Sequence, residues 1–148
     1  MIRFRPARRE DVAEVVALLA DDLLGAGRER TDDLSPYLAV FDALARDPNN
    51  TLIVGEDAGE IVACYQLTII IGLSIGASRR AQIEGVRVAR AMRRHGVGRA
   101  LVEDAETRSR EAGAVLLQLT MNRARTDSAR FYEAMGFEAS HIGFKKPL

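Results

Sequence analysis

The sequence predicts an α/β chain built on one mixed central sheet with helices on both faces. Three observations predict it. Apolar or alternating runs of strand length recur along the chain, separated by Gly, Asn, Asp and Pro signals. Three of these runs follow one another directly in the middle of the chain, which argues antiparallel neighbours. A strand–helix–strand pattern then follows, which argues one parallel crossover in the same sheet.

The elements follow in order. Met1 to Arg5 alternates as a first strand. Val12, Val15, Val16, Leu19 and Leu23 fall on one helical face, with Gly25 and Gly27 ending that helix. Leu34 to Arg46 is a second helix, with Pro36 tolerated in its first turn. Pro48, Asn49 and Asn50 form a turn. Thr51 to Glu56 is a strand, and Asp57-Ala58-Gly59 turns it into another, Glu60 to Leu73. Gly72 to Ser78 is a small-residue loop, and Arg79 to Val88 is the next strand. Gly96 to Ala112 is a helix that places Val97, Leu101, Ala105 and Ala112 together and ends at Gly113. Ala114 to Thr120 is an apolar run suited to a buried strand. Asp127 to Met135 is a short helix closed by Gly136, and Phe137 to Lys145 is the expected last strand.

At 148 residues the chain fits one domain, 1–148, with enough length to bury a core unaided. Its 21 basic and 21 acidic side chains give a formal net charge of +0. That balance gives no global attraction to nucleic acid or to an anionic membrane, so any anion site must be local. The apolar run Leu67 to Ile71, with Thr68 inside it, is too short to span a bilayer. No cationic segment followed by an apolar run opens the chain, so a cytoplasmic location is expected. Cys64, the one cysteine, sits in a strand-like run and reads as a small buried hydrophobe. No cluster of residues has metal-ligand spacing; His141 has no acidic or cysteine neighbour at such spacing and reads as a strand surface residue.

The segment Gln82 to Arg99 carries the chemistry. A strand runs through Ile83-Glu84-Gly85-Val86-Arg87-Val88 into a loop, and Gly96 and Gly98 stand where the next helix begins. A helix start presents unpaired N–H groups and partial positive charge, and glycine lets a phosphate approach them. Arg93, Arg94 and Arg99 add cationic donors, so the turn suits a pyrophosphate. Taken alone, it suits a solvated helix start equally well. It is neither a Walker A loop, because Arg99-Ala100 follows Gly98, nor a dinucleotide fingerprint, because Leu101 stands at the third small position.

Arg93-x-x-Gly96-x-Gly98, with the strand before it, resembles the pyrophosphate signature of the GNAT N-acetyltransferase superfamily. Ile2-Arg3, Ala7 and Asp11 resemble that family's opening strand and first helix. Phe131-Tyr132-Glu133-Ala134-Met135-Gly136-Phe137 is similar to its Tyr-Glu-x-x-Gly-Phe element. The resemblance covers nearly the whole chain and is strongest from Gln82 to Phe137. It implies a cleft where the fourth and fifth strands splay apart, with acetyl-CoA as donor. The main chain of Val86, Arg87 and Val88 would meet the pantetheine arm, and Arg93, Arg94, His95, Gly96, Val97, Gly98 and Arg99 would hold the pyrophosphate. For His95, capping a phosphate and facing water both stay open. It also implies an amine acceptor and the frequent homodimer of the family; no nucleic acid, membrane or metal is expected, from the charge balance and residue spacing above. The family's Asn seven residues before the motif tyrosine is Arg125 here, and its Ala four before is Ser128. Arg125 is left with a CoA phosphate, a substrate carboxylate or water to face.

N-acetylation needs a neutral amine, although a lysine-like amine has a pKa of about 10, and it needs a donor for the oxyanion. By the resemblance Tyr132 is the general acid, protonated at neutral pH and able to give a proton to the departing sulfur; otherwise it packs between the last helix and the sheet. Glu84, between Ile83 and Gly85, is the candidate base, directly or through water; otherwise it is a surface carboxylate beside Arg79, Arg80 or Arg87. Strand alternation puts Gln82, Glu84 and Val86 on one face. Acetyl transfer to an amine of a small molecule or protein in a ternary complex is the reading these residues support. Its alternatives are a catalytically silent acyl-CoA-binding module and a nucleotide- or phosphosugar-binding protein using the glycine turn alone. Paired Arg79 and Arg80 suit an acceptor carboxylate or a solvated strand start.

Overall fold

The computed structural model describes every residue from Met1 to Leu148 except Leu23. Five strands form one sheet in the order β1-β2-β3-β4-β5: β1 (Arg3–Pro6), β2 (Asn50–Asp57), β3 (Glu60–Ile70), β4 (Arg79–Val88) and β5 (Ala114–Gln118). The first four are antiparallel neighbours, and β4 and β5 are parallel. The mixed sheet follows the sequence pattern. Ala58 (φ 51°) and Gly59 (φ 92°) make the two-residue turn between β2 and β3, since both central positions need a left-handed backbone.

Helices cover both faces. On one side Val97, Leu101, Val102 and Ala105 of α4 (Val97–Glu111) pack on Ile53, Ala63, Tyr65, Leu67, Ala81 and Ile83. On the other, Val15 and Leu18 of α1 (Val12–Ala20) pack on Val54, Ile61 and Cys64. Cys64 is buried, which pushes its thiol up to about 12 and makes it a core residue with no nucleophilic character. The chain also forms α2 (Ser35–Leu44), a single turn α3 (Ser74–Ala77), α5 (Thr126–Ala134) and short 3-10 turns at Arg9–Asp11 and Arg90–Met92.

The structure departs from the sequence pattern at the end of the first helix and beyond Phe137. The α1 helix stops at Ala20, short of Gly25, because the Asp22 carboxylate takes the N–H groups of Leu24 and Gly25 and starts a turn. Leu23, expected on the helical face, lies outside the described residues. The expected strand from Phe137 to Lys145 does not form. Phe137 anchors beside Tyr132, and the chain beyond it makes local bonds, Ser140 N–H to Glu138 C=O (2.9 Å) and Ser140 Oγ with His141 Nδ1 (2.8 Å), in place of a ladder. His141 is accordingly exposed on a loop rather than on a strand. In consequence β5 is an edge strand rather than a buried one, with Val115 62% exposed.

Candidate active site

The site begins where β4 and β5 part. Their pairing runs from Arg79–Ala114 to Gln82–Gln118 and stops, although β4 continues to Val88. From Ile83 onward the β5-facing edge of β4 has no strand beside it. Its other edge stays paired with β3, Ile83 to Leu67 and Val88 to Ala63.

A bulge interrupts that second pairing. Glu84 faces Gln66 and Arg87 faces Cys64, so the two residues between them share the single partner position of Tyr65. Gly85 has φ 59°, a conformation that a side chain makes costly. The bulge reverses the alternation. Val86 and Val88 pack with Ala81 and Ile83 on the α4 side, whereas Arg87 joins Gln82 and Glu84 on the α1 side. Uninterrupted alternation would have grouped Val86 with Gln82 and Glu84, and the structure separates them.

Glu84 is exposed and is held by its own strand. Its carboxylate accepts from Gln82 Nε2; Gln82 Oε1 accepts from Gln118 Nε2 (2.8 Å), and Gln118 Oε1 accepts from Arg80 Nη1 (3.3 Å). This chain of amides crosses from β5 to β4 on the α1 side. Arg79 turns away, donating to the Ala112 carbonyl (3.2 Å).

Arg87 points toward the loop after α1. Its Nε lies 3.0 Å from Asp22 Oδ2 but out of line for a hydrogen bond, and Nη1 donates to the Val86 carbonyl (2.8 Å). Arg125, at the start of α5, donates through Nη2 to the same Asp22 Oδ2 (2.8 Å). Burial works against ionisation of Asp22. The Arg125 hydrogen bond, the Gly25 N–H and the Arg87 charge outweigh it and hold the group at about 2. Asp22 was not among the residues singled out from sequence. The signal available was an aspartate pair just before Gly25-x-Gly27.

Tyr132 lies on α5, edge-on between Phe131 (centroids 5.1 Å apart) and Phe137 (5.6 Å). Burial raises its pKa, and the charges of Arg87 and Arg125 reach it and pull the other way. Its hydroxyl has no protein hydrogen bond among the described residues, so a protonated phenol is free to donate.

The loop after β4 turns through Arg90–Met92 and reaches α4 at Gly96 (φ 80°). Among the described residues no side chain caps this helix start. A Cβ on Gly96 would meet nothing within 4 Å, so the backbone there is open to a ligand. Gly98 differs: a Cβ there would lie 3.3 Å from the Phe131 ring, so this glycine lets α5 pack against α4. Arg94, His95 and Arg99 are exposed around the turn, with His95 Nδ1 2.8 Å from the Arg93 carbonyl. Arg93 is exposed too but reaches back, Nε to the Val88 carbonyl (3.2 Å). Val97 is buried in the core and offers this turn only its main chain.

Known proteins share this family and fold. The model of the acetyltransferase (GNAT) family matches residues 12–137. The chain is 32% identical over 144 residues to an aminoalkylphosphonate N-acetyltransferase of Salmonella typhimurium strain LT2, covering 97% of this chain and 90% of that one. Among solved structures it is similar to a transcriptional regulator from Bacillus halodurans C-125, with 42% identity, a TM-score of 0.96 and full coverage of both chains. It is also similar to an acetyltransferase of Trypanosoma brucei, with 25% identity, a TM-score of 0.81 and full coverage of both.

Proposed function

The chain belongs to the acetyltransferase (GNAT) family, and from that premise we propose that it transfers the acetyl group of acetyl-CoA to a primary amine of a small molecule, by direct attack in a ternary complex. The observation that carries this is the split after Gln82 and Gln118, which leaves a bare β4 edge leading to an uncapped helix start. The thioester supplies an activated acetyl group. The main chain of Val86 to Val88 binds the pantetheine arm along the bare edge. The open turn at Gly96, with the N–H groups of Val97 to Arg99 and the side chains of Arg94 and Arg99, receives the pyrophosphate. His95 and Arg93 shape that turn from within.

As the C–N bond forms and the C–S bond breaks, Tyr132 gives its phenolic proton to the sulfur, and Glu84 takes the amine proton directly or through water. Gln82 holds that carboxylate through its side-chain amide. A main-chain N–H near the Gly85 bulge meets the oxyanion. The curated relative acts on an aminoalkylphosphonate, which makes that class the first acceptor to test.

Tyr132→Phe tests the central step. Turnover is expected to fall roughly 10²–10⁴-fold with acetyl-CoA affinity, measured by calorimetry, retained. Unchanged turnover removes the phenol from the mechanism, and absence of acetyl-CoA binding in the wild-type protein overturns the whole reading.

A further inference from the structure

The two guanidinium groups beside Tyr132 share one carboxylate. Arg87 and Arg125 both approach Asp22 Oδ2, and Asp22 Oδ1 is already occupied by the Leu24 and Gly25 N–H groups. No other carboxylate pairs with either arginine among the described residues, and the nearby Asp21 is taken by Arg90 (3.1 Å). The cluster therefore carries one uncompensated positive charge. Its side chains are only 15% (Arg87), 12% (Asp22) and 31% (Arg125) exposed. Partly buried cations without a counterion are costly, and here Arg87 Nε also lacks a hydrogen-bond acceptor among the described residues. Two planar guanidinium groups with free N–H donors match the oxygens of a phosphonate, phosphate or carboxylate.

The spacing adds a second constraint. Glu84 and Arg87 lie on the same sheet face, opposite Gln66 and Cys64, which are two residues apart on β3. That separation is about 7 Å along the strand. An amine held near Glu84 and an acid group held by Arg87 are then joined by two or three carbons.

We propose that Arg87 and Arg125 form a receptor for an acid group on the acceptor, so that the substrate class is a short primary amine bearing a phosphonate, phosphate or carboxylate. This rests on the acetyl-transfer reading above. Asp22 neutralises one arginine and ties the loop after α1 across the cleft, leaving the other charge for the ligand.

The test uses the wild-type protein first. Initial rates with acetyl-CoA are measured for 2-aminoethylphosphonate, β-alanine and ethylamine, and inorganic phosphate is added as an inhibitor. The expected result is a kcat/KM for the acid-bearing amines at least 10²-fold above ethylamine, with phosphate competing against the amine and not against acetyl-CoA. Arg125→Gln is expected to shrink that preference at least tenfold through KM for the amine, with Arg125→Lys restoring part of it; the thermal melt of each variant checks folding. Equal turnover of ethylamine overturns the receptor and leaves acetyl transfer standing. Competition of phosphate against acetyl-CoA alone assigns the charge to the donor and also overturns it. Absence of both acetyl-CoA binding and amine acetylation brings down the reading on which it rests.

Discussion

Two clusters of arginine and carboxylate hold this molecule together, and they differ in stoichiometry. At the β1 edge one arginine serves two acids: Arg5 donates Nε to Glu56 (2.9 Å) and Nη1 and Nη2 to Asp11 (2.7 and 3.1 Å). Asp11 also accepts the Arg8 N–H (2.6 Å), so this cluster is closed. At the cleft the ratio is inverted, with Asp22 between Arg87 and Arg125 and donors left over. Closure makes a tie between β1, β2 and the start of α1. An excess of cation beside an opening makes a place for an anion. The same residue types thus stabilise in one region and stand ready for a ligand in the other, and counting partners tells them apart.

The largest effect that separates the two regions is on stability. Asp11→Ala leaves Arg5 with one acidic partner, Glu56, and takes away the acceptor of the Arg8 N–H, at a buried position. It is expected to cost about 3–5 kcal/mol in a urea titration, with acetyl-CoA affinity of the folded fraction unchanged. A loss near that of an ordinary surface change would mean the β1 cluster is not a tie.

Acid titration discriminates next. Asp11 is lowered, mainly by the Arg5 hydrogen bonds, and Asp22 is held at about 2. A carboxyl depressed in the folded state stabilises above its unfolded value and loses that contribution as pH falls through the folded value. For Asp22 the window runs from about pH 4 to about pH 2 and is worth about 2 kcal/mol. Asp22→Asn is expected to abolish that part of the slope. It also leaves two unopposed guanidinium groups, so inhibition by inorganic phosphate should tighten about fivefold. Weaker inhibition in that variant would mean Asp22 builds the receptor rather than balancing it.

The β1 cluster and the cleft were also unequally legible in the sequence. Arg79–Val88 and the α4 helix carried strong period-2 and period-3.6 patterns, and their observed bounds match within a residue. The glycine turn and Tyr132 were marked by motif, and Arg125 by its departure from one. What the pattern hid was non-local. The Gly85 bulge flips Val86 against Glu84, yet apolar residues on both sides of it preserve an unbroken strand signal. Asp22 gains its importance from Arg87 and Arg125, 65 and 103 residues away in the chain, the latter through its hydrogen bond. The Phe137–Lys145 segment has strand-like composition, but local bonds at Ser140 and His141 replace the ladder. Spacing along a chain records periodicity well and records shared partners not at all.

The smallest expected effect probes how the cleft charge reaches the chemistry. Arg87 and Arg125 act on Tyr132 only while α5 holds the phenol in place, and α5 leans on α4 where Gly98 meets Phe131. Gly98→Ala puts a methyl 3.3 Å from the Phe131 ring, so the ring must shift by a few tenths of an ångström, and Tyr132 stacks edge-on against that ring. The stability change should be small, about 1 kcal/mol or less, because the helix gains alanine propensity as it loses room. With Tyr132 in the proposed role of acid, a displaced phenol transfers its proton less well, so kcat should fall several-fold while the dissociation constant for acetyl-CoA stays within about threefold. The opposite pattern, weakened acetyl-CoA binding at normal kcat, would mean that the phosphate turn needs Gly98 bare of a side chain and would leave Tyr132 indifferent to the packing beneath it.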